Sequence, residues 1–124
     1  MELKEGLSYT SEVVVSDANS AKHWGSGALD VFATPAMVAL MENAAMNAVN
    51  GYLPEGGDTV GTAVDISHVK ATGLGDTVRA TAILKEVDGR KLVFEVTAAD
   101  SKGEIGKGTH TRFIVDREKF IGRL

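Results

Sequence analysis

The chain has 124 residues, a hydrophobic fraction of 44%, a charged fraction of 24% and a formal net charge of −4. This size and balance predict one globular domain over residues 1–124 and exclude a disordered chain. The negative charge argues against nucleic-acid binding, and no stretch is apolar enough to predict a membrane span. The lack of cysteine excludes disulfides, thiolate nucleophiles and cysteine-bound metals. Because the first five residues lack an apolar signal-peptide core, we expect a cytoplasmic protein.

Basic residues are concentrated in the second half of the chain. Residues 1–69 hold 2 basic and 9 acidic side chains, whereas residues 70–124 hold 11 basic and 8 acidic ones. An anionic ligand would therefore find its counter-charges in the second half, with Lys70, Arg79 and Lys107 as candidates for holding phosphates. The alternative is that these side chains only cover the solvent face of strands.

The first predicted element is a strand over residues 7–15, where the side chains alternate between two faces. Residues 16–30 then form a connection rich in Ser, Asn, Ala and Gly, with Trp24 directly before a glycine-containing stretch. An aromatic residue beside flexible glycines is typical of a lid over a site. More commonly, such a tryptophan closes the edge of the core.

Residues 31–51 predict the central helix of the fold. Thr34 is a good N-cap, and Pro35 suits the first helical position because its missing N–H is not needed there. Asn50 and Gly51 supply the stop, with Gly51 expected in the left-handed conformation. Because Ala, Met, Leu and Val cover most of its surface, this helix is expected to be largely buried.

Glu42 is the exception on this apolar helix. It lies roughly 100° around the helix axis from a polar stripe, among Val38, Met46 and Val49. A carboxylate there is costly to bury unless it is paired or protonated. Glu42 is then an edge residue whose carboxylate reaches water, a residue paired with a distant arginine, or a functional group. The polar stripe consists of Asn43, Asn47 and Asn50.

The rest of the chain predicts four strands, over residues 59–70, 77–87, 91–100 and 104–116. His68 shares a strand face with residues that should meet the helix, where a histidine is most often a hydrogen-bonded core residue. Asp88-Gly89 indicates a hairpin. The last strand carries four residues of interest on one face, and its two glycines indicate close approach by another backbone or a ligand. These four are Gly106, Gly108, His110 and Arg112.

The order of elements is one strand, one long apolar helix and four further strands. A single helix buried so completely needs an antiparallel sheet curled around it, which predicts an α+β fold. The acid and base candidates are few, namely His23, Glu42, His68 and His110. No metal-ligand spacing and no phosphate-binding glycine loop is present, so we expect neither a metal nor a cofactor.

Several motifs in this order resemble the hotdog-fold acyl-CoA thioesterases typified by fluoroacetyl-CoA thioesterase. The similarity covers residues 31–120 and rests on the joint order of the motifs. They are V-F-A-T at residues 31–34, M-E at 41–42, G-T-A at 61–63, His68, and G-K-G-T-H-T-R at 106–112.

The resemblance implies a homodimer with its active site at the interface and acyl-CoA as the substrate. It assigns the catalytic roles to Thr34, Glu42 and His68, and the substrate contacts to Gly61 and Arg112. Two positions depart from the fluoroacetyl-specific pattern. Pro35 stands where that enzyme has glycine, and residues 25–29 are small and flexible where it has bulkier lid residues.

Spacing constrains how these residues act together. Thr34 and Glu42 are eight residues apart, about 12 Å along one helix, so they cannot share a hydrogen bond within it. Either the two residues act on different atoms, or one site draws them from two chains, and the interface site that the resemblance implies favours two chains. In that site Glu42 is a general base or a nucleophile, and His68 orients it or relays a proton. Thr34 is either a helix cap or a group that acts on the thioester. Arg112 is either a carboxylate or carbonyl clamp or part of a surface salt bridge.

The helix N-terminus offers backbone donors for an oxyanion, and Pro35 removes one of them, which leaves Ala36 and Met37. The leading hypothesis is hydrolysis of a small acyl-CoA thioester. The alternatives are a hotdog dehydratase or hydratase and a non-catalytic module that binds acyl-CoA.

Overall fold

The computed structural model describes residues 2–124, and Met1 lies outside the described residues. Five strands form one antiparallel sheet in the order β1-β3-β4-β5-β2. The strands are β1 (Ser8–Val14), β2 (Gly57–His68), β3 (Thr77–Asp88), β4 (Lys91–Asp100) and β5 (Gly103–Asp116). The helices are α1 (Ala21–Trp24), α2 (Thr34–Val49) and α3 (Arg117–Gly122).

The core lies between α2 and one face of the sheet. One face of α2 is fully buried, with Met37, Met41, Ala44 and Ala45 at its centre. The sheet meets it with the large buried side chains of β3 and β4, among them Leu84, Leu92, Phe94 and Val96. The prediction of an α+β fold with a sheet around one long helix is therefore confirmed.

The start of α2 differs from the prediction by one residue. Ala33 is the N-cap, Thr34 is the first helical residue, and Pro35 is the second. The predicted cap role of Thr34 is wrong because the chain before the helix is fixed elsewhere. The N–H of Phe32 donates to the carbonyl of Thr72 at 2.9 Å, and that of Ala33 donates to the carbonyl of Asn19 at 3.0 Å.

The end of α2 also departs from the prediction. The helix continues directly into a 3₁₀ turn over Asn50–Tyr52, and Gly51 does not adopt positive φ. The last strand ends at Asp116 as predicted, and residues 117–122 form a helix, α3, that was not predicted. The side chain of Asp116 caps this helix by accepting a hydrogen bond from the Lys119 N–H at 3.1 Å, a signal that the strand alternation concealed.

The connection between β1 and α2 is ordered by short-range hydrogen bonds. Ser20 caps α1, and Gly25 follows it with φ of 72°. Trp24 is 50% exposed, and its indole N–H donates to the Ala18 carbonyl at 3.0 Å, so it does not close the core. No helix in the part of the chain that the structure describes is long and apolar enough to cross a membrane.

The hairpin between β3 and β4 forms where expected. Asp88 pairs with Lys91, which leaves Gly89 and Arg90 as the two-residue loop, one position later than predicted. Gly89 has φ of 62°, a conformation that a residue with a Cβ adopts reluctantly.

β2 is an edge strand that lies very close to β5. A β-bulge interrupts their pairing between Gly61 and Ala63. A Cβ added at Gly106 would meet the Ser67 carbonyl oxygen at 2.6 Å, and one added at Gly108 would overlap the Asp65 carbonyl oxygen. The predicted close approach at these glycines is therefore confirmed, and the approaching group is the backbone of β2.

The glycine contact yields a stability prediction. Gly108→Ala should lower the free energy of unfolding by about 1–3 kcal/mol, because the new methyl group cannot fit without moving β2. Gly51→Ala is the matched control, since nothing lies within 4 Å of a Cβ added there and its φ is not positive. Urea unfolding of both variants measures the difference. Equal stability of the two variants would contradict the packing described here.

Candidate functional site

Thr34 and His68 form a hydrogen-bonded pair at the N-terminal end of α2. The Thr34 hydroxyl and the Nδ1 atom of His68 are 2.8 Å apart, with Thr34 exposed and His68 half-buried. The Nε2 atom of His68 is buried and has no hydrogen-bond partner among residues 2–124. A buried polar atom without a partner is costly, so it marks a place where another group is needed.

Burial lowers the pKa of His68 from its ordinary value of 6.5 because it penalises the charged imidazolium. The backbone of Lys70 opposes this shift without satisfying Nε2. The imidazole is therefore neutral near pH 7. When the Thr34 hydroxyl donates to Nδ1, the proton of the ring lies on Nε2, and the ring can accept the hydroxyl proton.

The first turn of α2 leaves backbone donors near this pair. Pro35 has no N–H, and the N–H of Met37 donates to the Ala33 carbonyl at 3.0 Å. Met37 is therefore not a free donor, contrary to the prediction. The N–H groups of Thr34 and Ala36 have no acceptor in the described chain, so they are the donors available to a developing oxyanion.

A cavity of about 250 Å³ lies beside the Thr34–His68 pair. The connection before α2 contributes Ala21 and Ser26 to its wall, and the segment after β2 contributes Lys70 and Ala71. A space of this size next to a hydroxyl, a neutral imidazole and free N–H groups suits a small polar reactant.

Glu42 belongs to a second cluster further along α2. Its Oε2 atom is 3.8 Å from Nη1 of Arg112 and 4.0 Å from Nε2 of His110. A Cβ added at Gly61 would meet the same Oε2 atom at 2.5 Å, so the glycine provides the space for the carboxylate. The Glu42 side chain is 40% exposed, which leaves one side of the carboxylate accessible.

Arg112 is buried and held by groups other than Glu42. Its Nε and Nη2 atoms donate to the hydroxyl and the carbonyl of Thr59, both at 2.9 Å. Burial lowers the pKa of Arg112 from its ordinary value, and the charge of Glu42 opposes the shift. The alternative of a surface salt bridge is therefore wrong, because the guanidinium side chain is only 7% exposed.

His110 completes the support beneath Glu42. Its Nδ1 atom is 2.8 Å from the Ala63 carbonyl, which the β-bulge turns inward, and its Nε2 atom is 3.2 Å from Nη1 of Arg112. A carbonyl only accepts and a guanidinium only donates, so Nδ1 carries the proton and Nε2 accepts. Burial lowers the pKa of His110, and the charge of Arg112 adds to this effect. His110 is therefore neutral with both ring nitrogens engaged.

One chain brings the sequence-predicted residues together as two clusters. Thr34 contacts His68, and Glu42 lies with Gly61 and Arg112. Gly61 and His68 are seven residues apart on β2, roughly 20 Å, so His68 does not orient Glu42 within the same chain. Thr59 and the supporting role of His110 were not predicted. The shared strand face of His110 and Arg112 was the signal that could have indicated the latter.

The fold has close relatives among solved structures. The structure of the fluoroacetyl-CoA thioesterase matches with a TM-score of 0.92 and 37% identity, over 99% of this chain and 96% of that chain. A variant of that thioesterase in complex with fluoroacetate and CoA matches with a TM-score of 0.89 and 40% identity, over 95% and 99% of the two chains. The fold and these matches define the protein as a thioesterase with the hotdog fold.

Sequence comparison identifies the family. The fluoroacetyl-CoA thioesterase of Streptantibioticus cattleyicolor is 45% identical over 95 residues, which are 77% of this chain and 68% of the relative. The model of the fluoroacetyl-CoA-specific thioesterase family matches residues 15–118. The chain belongs to this family and is a thioester hydrolase.

The state of His110 generates a prediction about pH and stability. Because its pKa is lower in the folded protein than the unfolded value near 6.5, the unfolded chain takes up the proton first as pH falls. The free energy of unfolding should therefore decrease as pH falls below about 6.5 and towards the folded pKa. His110→Gln should flatten this dependence, whatever its effect at neutral pH.

Urea unfolding at several pH values between about 8 and 5 measures the slope for the wild type and for His110→Gln. His23→Gln is a control for the removal of an exposed histidine. If His110→Gln and the wild type show the same slope, the buried neutral state assigned to His110 is wrong.

Proposed function

We propose that this enzyme hydrolyses CoA thioesters of small acyl groups to the free acid and CoA, at sites shared by two copies of the chain. The observation that carries the proposal is the Thr34–His68 pair beside a small cavity, with the Nε2 atom of His68 buried and unpaired. The family relationship supports a thioester substrate, and the relative in complex with fluoroacetate and CoA supports CoA as the thiol.

The free edge of β2 supports a homodimer. Within residues 2–124, β2 pairs only with β5, so its other edge presents unpaired backbone groups. Val64, near the middle of β2 and opposite His110, is 41% exposed. Antiparallel pairing of β2 with a second copy, about a two-fold axis near Val64, would cover this edge. It would also bring the Gly61 region of one chain opposite the His68 region of the other.

This pairing supplies the missing partner of His68. The partner's Glu42, which lies against the partner's Gly61, would come within reach of the His68 Nε2–H. The result is a hydroxyl, an imidazole and a carboxylate in series, an arrangement in which the base activates the nucleophile and the carboxylate orients the base.

In the proposed reaction, the Thr34 hydroxyl attacks the thioester carbonyl while His68 accepts its proton at Nδ1. The oxyanion is stabilised by the N–H groups at the start of α2. When the carbon–sulfur bond breaks, His68 returns the proton to the CoA sulfur. Water then cleaves the acyl-threonine ester with His68 as the base, which regenerates Thr34. Direct attack by the Glu42 carboxylate, giving an anhydride, is the alternative route to the same products.

Arg112 contributes by positioning Glu42, and Gly61 keeps the carboxylate accessible to the substrate. Two of the arginine's nitrogens are engaged by Thr59, so only Nη1 faces Glu42. The predicted cytoplasmic location fits a substrate drawn from the CoA pool and stays a prediction. Residues 25–29 and Pro35 differ from the fluoroacetyl-specific pattern, so we expect acetyl-CoA and other small acyl-CoAs to be hydrolysed besides any fluoroacetyl-CoA.

Release of free CoA from a panel of small acyl-CoAs tests the function. A thiol reagent reports CoA without background, because the chain has no cysteine. Glu42→Gln should lower kcat by about 100-fold or more while the protein remains folded. Asn43→Asp is a control that changes a neighbouring position outside the cluster. Hydration of an enoyl-CoA without thiol release would favour the hydratase alternative, and binding without turnover would favour the acyl-CoA-binding module.

Mixing two inactive variants tests the shared site. In a heterodimer of Thr34→Ala and Glu42→Gln subunits, one site loses both residues and the other keeps both. Equal mixing makes about half of the dimers mixed, so activity should recover to about a quarter of the wild-type value. No recovery after demonstrated subunit exchange would mean that each site uses residues of one chain, and the two-fold pairing through β2 would be wrong.

A further inference from the structure

A second cavity, of about 360 Å³, lies at the opposite end of β2 from His68. Its walls come from the start of β2, the end of β5, the β3–β4 loop and α3. Hydrogen bonds between backbone groups hold these walls together. The N–H of Ile114 donates to the Arg90 carbonyl, and that of Arg117 donates to the Gly56 carbonyl, both at 2.9 Å.

The cavity is lined by three cations, Arg90, Lys119 and Arg123. None of them forms an ion pair with a carboxylate in residues 2–124. The wall also holds two carboxylates, Glu55 and Asp116, and Asp116 is engaged as the helix cap that accepts the Lys119 N–H. Three cations against two carboxylates leave a net positive charge of one, and none of the cations is paired within the described residues, so all three are available to phosphate groups.

An aromatic ring lies in the same wall. Phe120 is 37% exposed and lines the cavity together with the cations. A nucleobase stacks on an aromatic face while arginine and lysine bind its phosphates, and this combination distinguishes a nucleotide site from a site for a simple anion.

The basic candidates predicted from the sequence are less suitable. Lys70 is 4.0 Å from Asp100, and Arg79 is 2.9 Å from Glu12, so a carboxylate already offsets each charge. Lys107 has no such partner in the described chain, but it lines neither this cavity nor the one beside Thr34 and His68.

The cavity is far from His68 of its own chain but close to His68 of the partner in the proposed dimer. Within one chain, Gly57 at its edge is eleven residues from His68, roughly 35 Å along β2. In the dimer proposed above, pairing about Val64 brings the partner's Gly57 opposite residue 71, and Ala71 lines the cavity beside Thr34 and His68. In that dimer the two cavities become neighbours across the interface.

We infer that the cavity formed by Arg90, Lys119, Phe120 and Arg123 binds the adenine nucleotide of CoA, whose acyl end reacts at Thr34 and His68 of the other chain. Arg90 and Arg123 bind the phosphates, Lys119 adds a third cation, and Phe120 stacks on the adenine. The inference rests on the proposed function for the identity of the ligand, and on the two-fold pairing for the link between the cavities.

The test compares two substrates with the same acyl group, acyl-CoA and the S-acyl pantetheine thioester, which lacks the nucleotide. In a variant with Arg90→Ala, Lys119→Ala and Arg123→Ala, KM for acyl-CoA should rise on the order of tenfold with kcat unchanged. KM for the pantetheine thioester should not change. KM for acyl-CoA in the wild type should also rise with ionic strength, and this dependence should weaken in the variant.

Three control variants accompany it. Lys85→Ala removes an exposed cation outside the cavity and should match the wild type, and Lys70→Ala and Lys107→Ala test the other candidates. Equal changes of KM for both thioesters, or a larger effect of Lys70→Ala or Lys107→Ala, would overturn the inference. Thermal unfolding verifies that the triple variant is folded.

Calorimetric binding of CoA separates the inference from the proposed function. If the wild type hydrolyses neither thioester, the proposed function fails, and the nucleotide site stands only if CoA binds to the wild type and binds on the order of tenfold more weakly to the triple variant. If both thioesters are hydrolysed and the triple variant binds CoA as the wild type does, the nucleotide site is wrong and the thioesterase is not.

Discussion

The close pairing of β2 with β5 is the constraint on which the site depends. Two glycines on β5 allow the backbone of β2 to approach where any side chain would hold it away. The same pairing sets Thr59 against Arg112 and the bulged Ala63 carbonyl against His110. It also carries the edge strand far enough across the helix N-terminus for His68 to meet Thr34. A wider spacing of these two strands would separate all three contacts at once.

The bulge has a specific consequence for Glu42. It inserts Thr62 into β2, so Gly61 faces the helix while the strand beyond it regains a regular alternation that ends at His68. Gly61 thereby gives the Glu42 carboxylate room on its exposed side, and the buried guanidinium of Arg112 lies on the other side. A charge on an apolar helix is tolerated because it meets a fixed, solvent-shielded cation rather than bare hydrocarbon.

Sequence patterns predicted the parts of the fold that local periodicity determines. The hairpin could be predicted from the alternation of residues 77–87 and 91–100 and from the Asp88-Gly89 signal. Its two strands are neighbours in the sequence, so their pairing does not depend on residues far away in the chain. The first residue of α2 was not predictable in the same way. Thr34 is the better N-cap by composition, but hydrogen bonds from Phe32 and Ala33 to distant carbonyls decide where the helix begins.

For the candidate site too, the sequence predicted which residues are involved but not which residues contact each other. The family motifs indicated Thr34, Glu42, His68, Gly61 and Arg112, but residue spacing along a helix could only show that Thr34 and Glu42 do not meet. The support for Arg112 could not be found in this way, because Thr59 lies 53 residues from it in the chain. Strand alternation identifies the face on which a side chain lies, whereas its partner depends on strand order and register.

The two histidines show why burial alone does not identify a base. Burial lowers the pKa of both, so both are neutral near pH 7. His110 has a carbonyl on one ring nitrogen and a guanidinium on the other, so neither nitrogen can exchange a proton without breaking a buried contact. His68 has a hydroxyl on Nδ1 and no partner on Nε2. In the proposed mechanism a proton enters the ring from Thr34, and a carboxylate at Nε2 would stabilise the resulting charge. The nitrogen without a partner in residues 2–124, rather than the shifted pKa, is the observation that favours His68 over His110 as the proposed base.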